Sequence, residues 1–150
     1  MKKILKNLGA ITMAFAMVLM LTLPSNASTS VHDARLYKDG EFDAININDN
    51  LSMGDGAIGD AIVTSNGSNY TITIDIAEDF YAHGVQGNVT EFTCSDPNVT
   101  TSLYDTDGNG KNDTLIMITD SLTYPELFNV NVTIDVWIMP IAASGDLVIF

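Results

Sequence analysis

Apolar and polar residues alternate through Tyr70–Ile76 (YTITIDI), with Tyr70, Ile72, Ile74 and Ile76 on one side and Thr71, Thr73 and Asp75 on the other. A two-residue period of this kind is the mark of a half-buried strand. Phe128–Met139 starts in the same way. Phe128, Val130, Val132, Ile134, Val136 and Ile138 share one face, and Asn129, Asn131, Thr133 and Asp135 share the other. Trp137 and Met139 then break the rule, because they have the parity of the polar set. Read as one strand, this stretch buries both of its faces at its far end. One face meets a core, and the other is covered by a loop or by a flat apolar ligand.

Further extended segments are predicted at Glu41–Asn48, Asp60–Ser65, Val85–Thr93, Thr100–Tyr104, Thr114–Thr119 and Asp146–Phe150. They are rich in Ile, Val, Thr and aromatics and are separated by turn residues such as Asn66-Gly67-Ser68. About eight short strands at this spacing predict an all-β antiparallel sandwich. Asn50–Ile58 contains too much glycine for a stable α-helix, and a single 3₁₀ turn is expected there as a lip. Ser28–Asp39 is polar and is expected to be a flexible arm, which leaves 40–150 as the sandwich domain.

The first 27 residues read differently. Lys2, Lys3 and Lys6 precede an apolar run from Ala10 to Leu23, and Ser25-Asn26-Ala27 places small residues where a signal peptidase reads. This is the pattern of a secretory signal peptide cleaved after Ala27, and the apolar run is short for a membrane span. The mature chain would then be secreted, extracellular or associated with the cell surface. It would hold three basic residues (Arg35, Lys38 and Lys111) against 19 acidic ones, a net charge of −16. Such a surface repels phosphate backbones and anionic lipid heads, so neither nucleic acid nor a membrane surface is an expected partner. Cys94 has no second cysteine to pair with and reads as a small buried hydrophobe within VTEFTCS.

One loop has the composition of a cation site. Asp105, Asp107, Asn109 and Asp113 fall at positions 1, 3, 5 and 9 of a run with glycine at position 6. Lys111 stands at position 7, where EF-hand loops offer a main-chain carbonyl to calcium. Position 12 is Ile116 and not the usual bidentate glutamate, so an ion would need a ligand from elsewhere or from water. The alternative is a hairpin tip that Asp, Asn and Gly form without any ion. His32 and His83 lack partners at metal-ligand spacing, and no serine elbow or phosphate-cradling loop occurs. A non-catalytic protein is expected.

The stretch DGEFDAININDNLSMGDGAIGDAIVTSNGSNYTITIDI resembles the opening of a near-iron-transporter (NEAT) domain: a short strand, a Ser-containing 3₁₀ lip, then a hairpin with tyrosine opening its second strand. Asp113–Leu122, YPELFNVNVTIDVWIMP and LVIF are similar to the closing strands of that family, so the resemblance covers nearly all of Gly40–Phe150. It implies an immunoglobulin-like sandwich that binds haem between the lip and the last hairpin. This chain departs from the family pattern at the tyrosine pair Tyr-X-X-X-Tyr, because Pro140 and Ser144 stand at those places. The resemblance then implies Met139, with Met53 from the lip, as soft ligands near the iron. It also implies Trp137 and Ile58 against the porphyrin and Ser52 at a propionate. The expected function is haem capture and relay, with haem-carrying or other haem-relay proteins as partners. The alternative is a calcium-stabilised immunoglobulin-like adhesion module at the cell surface.

Overall fold

A computed structural model of the chain describes residues 27–82, 85–136 and 139–150. The expected signal segment before Ala27, His83 and Trp137 lie outside the described residues. Among the described residues, ten strands and one 3₁₀ turn are formed: β1 (Ser28–His32), β2 (Ala34–Lys38), η1 (Met53–Ala57), β3 (Ile58–Ser65), β4 (Tyr70–Ile76), β5 (Phe80–Ala82), β6 (Val85–Cys94), β7 (Thr100–Tyr104), β8 (Thr114–Thr119), β9 (Glu126–Val136) and β10 (Met139–Ile149). They make two five-stranded antiparallel sheets, ordered β1-β3-β4-β8-β7 and β2-β10-β9-β6-β5. The fold is an all-β sandwich with a 3₁₀ lip. No helix among the described residues is long and apolar enough to cross a membrane.

The alternating positions build the core as their period requires. Ile72, Ile74 and Ile76 of β4 meet Ala61 and Val63 of β3 and Leu115 and Met117 of β8 on the inner side of one sheet. Leu36, Phe92, Phe128, Val130, Leu147 and Ile149 oppose them from the other sheet. Thr71, Thr73 and Ile62 have the opposite parity and remain partly or largely exposed.

Three expectations need correction. The first concerns the segment expected as a flexible arm, which is β1 and β2. Its Ala34, Leu36 and Tyr37 are buried, and the chain crosses from one sheet to the other at Asp33. Few apolar residues mark this segment: Ala34 and Leu36 point into the core, Tyr37 is buried beneath the following loop and Val31 is exposed.

The second correction is at Glu41–Asn48, which is not a strand. Asp43 accepts the backbone N–H of Ile45 at 2.8 Å, and Asn46 N–H bonds to the Asp43 carbonyl. Such local bonds from Asp and Asn compete with a sheet ladder. The loop instead lies over the outer side of β2 and β10. There the buried Asp146 accepts Gly40 N–H at 2.9 Å and Asn129 Nδ2 at 2.6 Å, and the Tyr37 hydroxyl donates to the Ile47 carbonyl at 2.6 Å.

The third correction answers the parity break. Phe128–Met139 is not one strand. β9 ends at Val136 and β10 begins at Met139, and the two pair in antiparallel register from Met139↔Val136 through Ile141↔Ile134 to Ile149↔Glu126. Residues directly opposite in such a pair share a face. Met139 therefore lies on the same side as Val136 and Ile134, the core side, and its odd number reflects a reversal of the chain. β5 and the first half of β10 were not anticipated from the sequence pattern.

Truncation of an inward residue and of an outward one on neighbouring strands tests this assignment. Ile74→Ala is expected to cost about 2–5 kcal/mol in urea unfolding. Ile62→Ala, on the outer side, should change stability by no more than about 0.5 kcal/mol.

Candidate functional site

Two constellations stand out, a cleft beside the lip and the acidic β7–β8 loop. The lip is fixed by short-range chemistry. Ser52 caps η1 with its hydroxyl oxygen, which accepts Gly54 N–H at 3.2 Å. Ser52 N–H bonds to the Leu36 carbonyl at 2.8 Å, and the Asp55 carboxylate accepts Leu36 N–H at 2.8 Å while Arg35 lies 3.5 Å from it. Gly54 packs closely, since a Cβ there would lie 3.2 Å from the Leu36 side chain, which would have to give way slightly. The lip is thus fastened to β2 at both its cap and its first turn.

Between this lip and the β9–β10 hairpin is an apolar cleft. Ser52, Gly54, Ala57 and Ile58 form one wall, Val132, Ile134, Ala143, Ser144 and Gly145 the other, and Leu36, Phe80, Val89 and Phe92 the floor. Its volume is about 30 Å³, room for little more than one water. Beyond it the inner face of the hairpin continues uncovered, with Ile141 48% and Met139 62% exposed. Ile134 and Val136 are half-buried on the same face.

Among the residues expected at a haem, Ser52 and Ile58 line this cleft. Met53 and Met139 do not: both stand in solvent, Met53 65% exposed between two lining residues and Met139 farther along the hairpin's inner face. Trp137 lies outside the described residues. Sequence reasoning missed Phe80, Val89, Phe92, Ile134 and Ala143, because the register that brings them together is a product of pairing between distant strands. Ile134 was visible as an inward residue but not as part of a wall.

The apolar lining suits a flat apolar ring, but the present volume does not. Ligand pockets start at roughly 300 Å³. Nor is a cation free for propionates among the described residues. Arg35 pairs with Asp33 and Asp55, Lys38 with Glu41 and Lys111 with Asp79. The Ser52 hydroxyl and lip amides are the available polar groups.

In the acidic loop, Gly108 and Gly110 take positive φ values of 80° and 93°, which wrap the chain around Asp105. The Asp105 carboxylate accepts Gly110 N–H and Gly108 N–H, both at 2.7 Å, and Asn109 N–H at 3.1 Å. These bonds hold its pKa below the usual aspartate range, Gly110 contributing most. Asp113 accepts the Thr106 hydroxyl at 2.6 Å and is lowered chiefly by that bond. Carboxylate oxygens of Asp107, Asp113 and Glu78 all lie within 4.8 Å of one another.

The structure therefore brings two of the five expected calcium residues together and adds Glu78 from the β4–β5 turn. Asp105 is taken up by its own loop. Asn109 donates its amide to Glu78 at 2.6 Å, and the Lys111 ammonium reaches Asp79 at 2.6 Å. Glu78 is a carboxylate from elsewhere of the kind the incomplete EF-hand pattern would require, but nothing in its own neighbourhood announces it.

Other reactive groups are engaged. The His32 ring nitrogens lie 2.6 Å from the Phe150 carbonyl oxygen and 2.8 Å from the Ser30 hydroxyl, and the ring stacks on Tyr124 with centroids 4.0 Å apart. Cys94 packs against the core, and burial pushes its thiol pKa up, away from the reactive thiolate.

The loop carboxylates make a pH prediction. A carboxylate with a depressed folded-state pKa stabilises the fold above the unfolded value, near pH 4, and that contribution is lost as pH falls through the folded pKa. The urea midpoint should fall as pH drops below about 4, and Asp105→Asn should flatten that fall. An unchanged pH profile in the variant would show that Asp105 takes no part.

Compared with protein-family models, curated proteins and solved structures, the chain matches none.

Proposed function

We propose that this chain is a secreted, non-catalytic haem-binding protein that takes haem at the lip–hairpin cleft and passes it on. The observation that carries this reading is the uncovered inner face of the β9–β10 hairpin. A sandwich normally buries its inner positions. Here Val136, Met139 and Ile141 extend the core face past the edge of the core, and Met139 and Ile141 stay exposed among the described residues. That face continues the apolar wall of the cleft, and the lip supplies a second exposed thioether at Met53.

Haem bound there would supply an iron centre open to thioether ligation. Met139 and Met53 would offer it, Ile58, Ile134 and Ile141 would meet the ring, and Ser52 would face a propionate. Haem-carrying and haem-relay proteins would be the corresponding partners, and the signal-like first 27 residues support secretion.

Haemin titration followed in the visible region tests this. The Soret band should sharpen and saturate at an equimolar end point. Met139→Ala and Met53→Ala should each weaken binding or alter the spectrum. Because both side chains are largely exposed, neither should change the unfolding free energy by more than about 0.5 kcal/mol. A spectrum indistinguishable from free haemin would remove the haem reading.

The second reading is a calcium-stabilised interaction module, favoured by the convergence of Glu78, Asp107 and Asp113. Calcium at a hundredfold above its dissociation constant would stabilise the fold by about 2.7 kcal/mol, several degrees in the unfolding midpoint. Glu78→Gln combined with Asp107→Asn should abolish that rise. An equal rise in the variant would mean only general screening of the acidic surface.

A further inference from the structure

The cleft must widen before any flat ligand can enter, and the elements around it are not equally able to move. The lip is bonded to β2 through Ser52, Asp55 and Leu36. The hairpin is an eleven-residue ladder. β5 is three residues long, lies at the edge of its sheet and pairs with β6 alone. It also carries Phe80, whose buried side chain forms part of the floor. Phe80 is opposite Gly87, where a Cβ would fall 3.6 Å from the Phe80 ring and 2.7 Å from Ile134. The glycine thus lets the aromatic ring and Ile134 lie close together across the cleft floor.

The turn leading into β5 is tied down by few groups. Ala77 N–H bonds to the Ala57 carbonyl of the lip at 2.9 Å. Glu78 accepts Asn109 Nδ2 at 2.6 Å, Asp79 pairs with the Lys111 ammonium, and Gln86 also bonds Asp79. Lys111 and Asp79 have side chains 38% and 39% exposed, so their attraction is weak and sensitive to salt.

We infer that Phe80 is the gate of the cleft and that the Lys111–Asp79 ion pair on the β7–β8 loop is its latch: releasing the pair frees residues 77–80 to swing outward and withdraw the ring. The inference rests on the cleft being the ligand site, and it names how ligand gains entry. The acidic loop then has a part in binding without touching the ligand, since it holds the element that closes the floor. High ionic strength loosens the latch, and so does any partner that draws Lys111 away from Asp79.

Hydrogen exchange of the β5 and β6 amides in the folded protein tests the gate without any ligand. Lys111→Gln, an exposed change that should leave the fold intact, is expected to speed exchange at the Phe80–Gly87 pairing by up to about fivefold, the shift an exposed ion pair supports. The lip and the β9–β10 ladder should exchange at wild-type rates. High salt should reproduce the effect in the wild type and add little in the variant. Uptake of the neutral dye Nile red, read by fluorescence, should rise in Lys111→Gln and rise further in Phe80→Ala. Exchange and dye uptake in Lys111→Gln at wild-type levels would overturn the gate, as would equal acceleration across the lip. Haemin distinguishes the two ideas. If it fails to bind although Lys111→Gln speeds exchange in β5 and dye uptake, the gate stands and the haem reading falls. If it binds at the same rate with and without the latch, the gate falls and the haem reading stands.

Discussion

The antiparallel ladder between β9 and β10 is the constraint from which the rest of this molecule follows. Its register sets Val136 opposite Met139, Ile134 opposite Ile141 and Val130 opposite Gly145. That places every even residue of β9 on the core face with every odd residue of β10. The proximal half of the ladder is sealed by the other sheet, so Phe128, Val130, Leu147 and Ile149 are buried. At the distal half the cover is lost while the apolar pattern continues. A slip of one residue would turn Met139 and Ile141 to the opposite face and put Asp146 into the core.

Asp146 shows why the register does not slip. Its side chain lies on the outer face, buried beneath the 39–50 loop, where it accepts hydrogen bonds from Gly40 and Asn129. A buried carboxylate tolerates that position only while those donors remain. The same loop presents Ile47 to the Tyr37 hydroxyl, and Phe42 meets the Tyr37 ring edge-on at 5.0 Å. One side of the second sheet is therefore sealed by a loop at its proximal end. The other side is open at its distal end, facing the lip. This asymmetry separates the covered half of the hairpin from the half left exposed.

Legibility from sequence followed the physics of each segment. β4, β7 and β8 were found to the residue: β4 alternates without a break, and β7 and β8 are short Thr- and Leu-containing runs bounded by turn residues. The 3₁₀ lip was legible from its shortness and glycine density. β10 was half hidden, because Pro140 and the small residues Ala142, Ala143, Ser144 and Gly145 do not look like a strand, and cross-strand pairing with β9 makes them one. The same blindness turned a chain reversal into an apparent break of parity at Met139. In the acidic loop, composition correctly marked a carboxylate cluster, yet it assigned Asp105 to an ion when three backbone N–H groups occupy it. Glu78 was out of reach, since only the approach of the β4–β5 turn to the β7–β8 loop brings it near.

The central claim is that the uncovered distal face of the hairpin, with the lip beside it, is a ligand surface and not unfinished packing. Methyl NMR with isotope-labelled methionine tests it most directly, because Met53 is exposed on the lip and Met139 on the inner face of the hairpin while Met117 is fully buried in the core. On titration with a diamagnetic haem analogue, the Met53 and Met139 methyl signals should shift together and saturate at an equimolar end point, with Met117 nearly still. Signals from Met53 and Met139 that stay in place while the analogue binds elsewhere, or does not bind, would contradict the account.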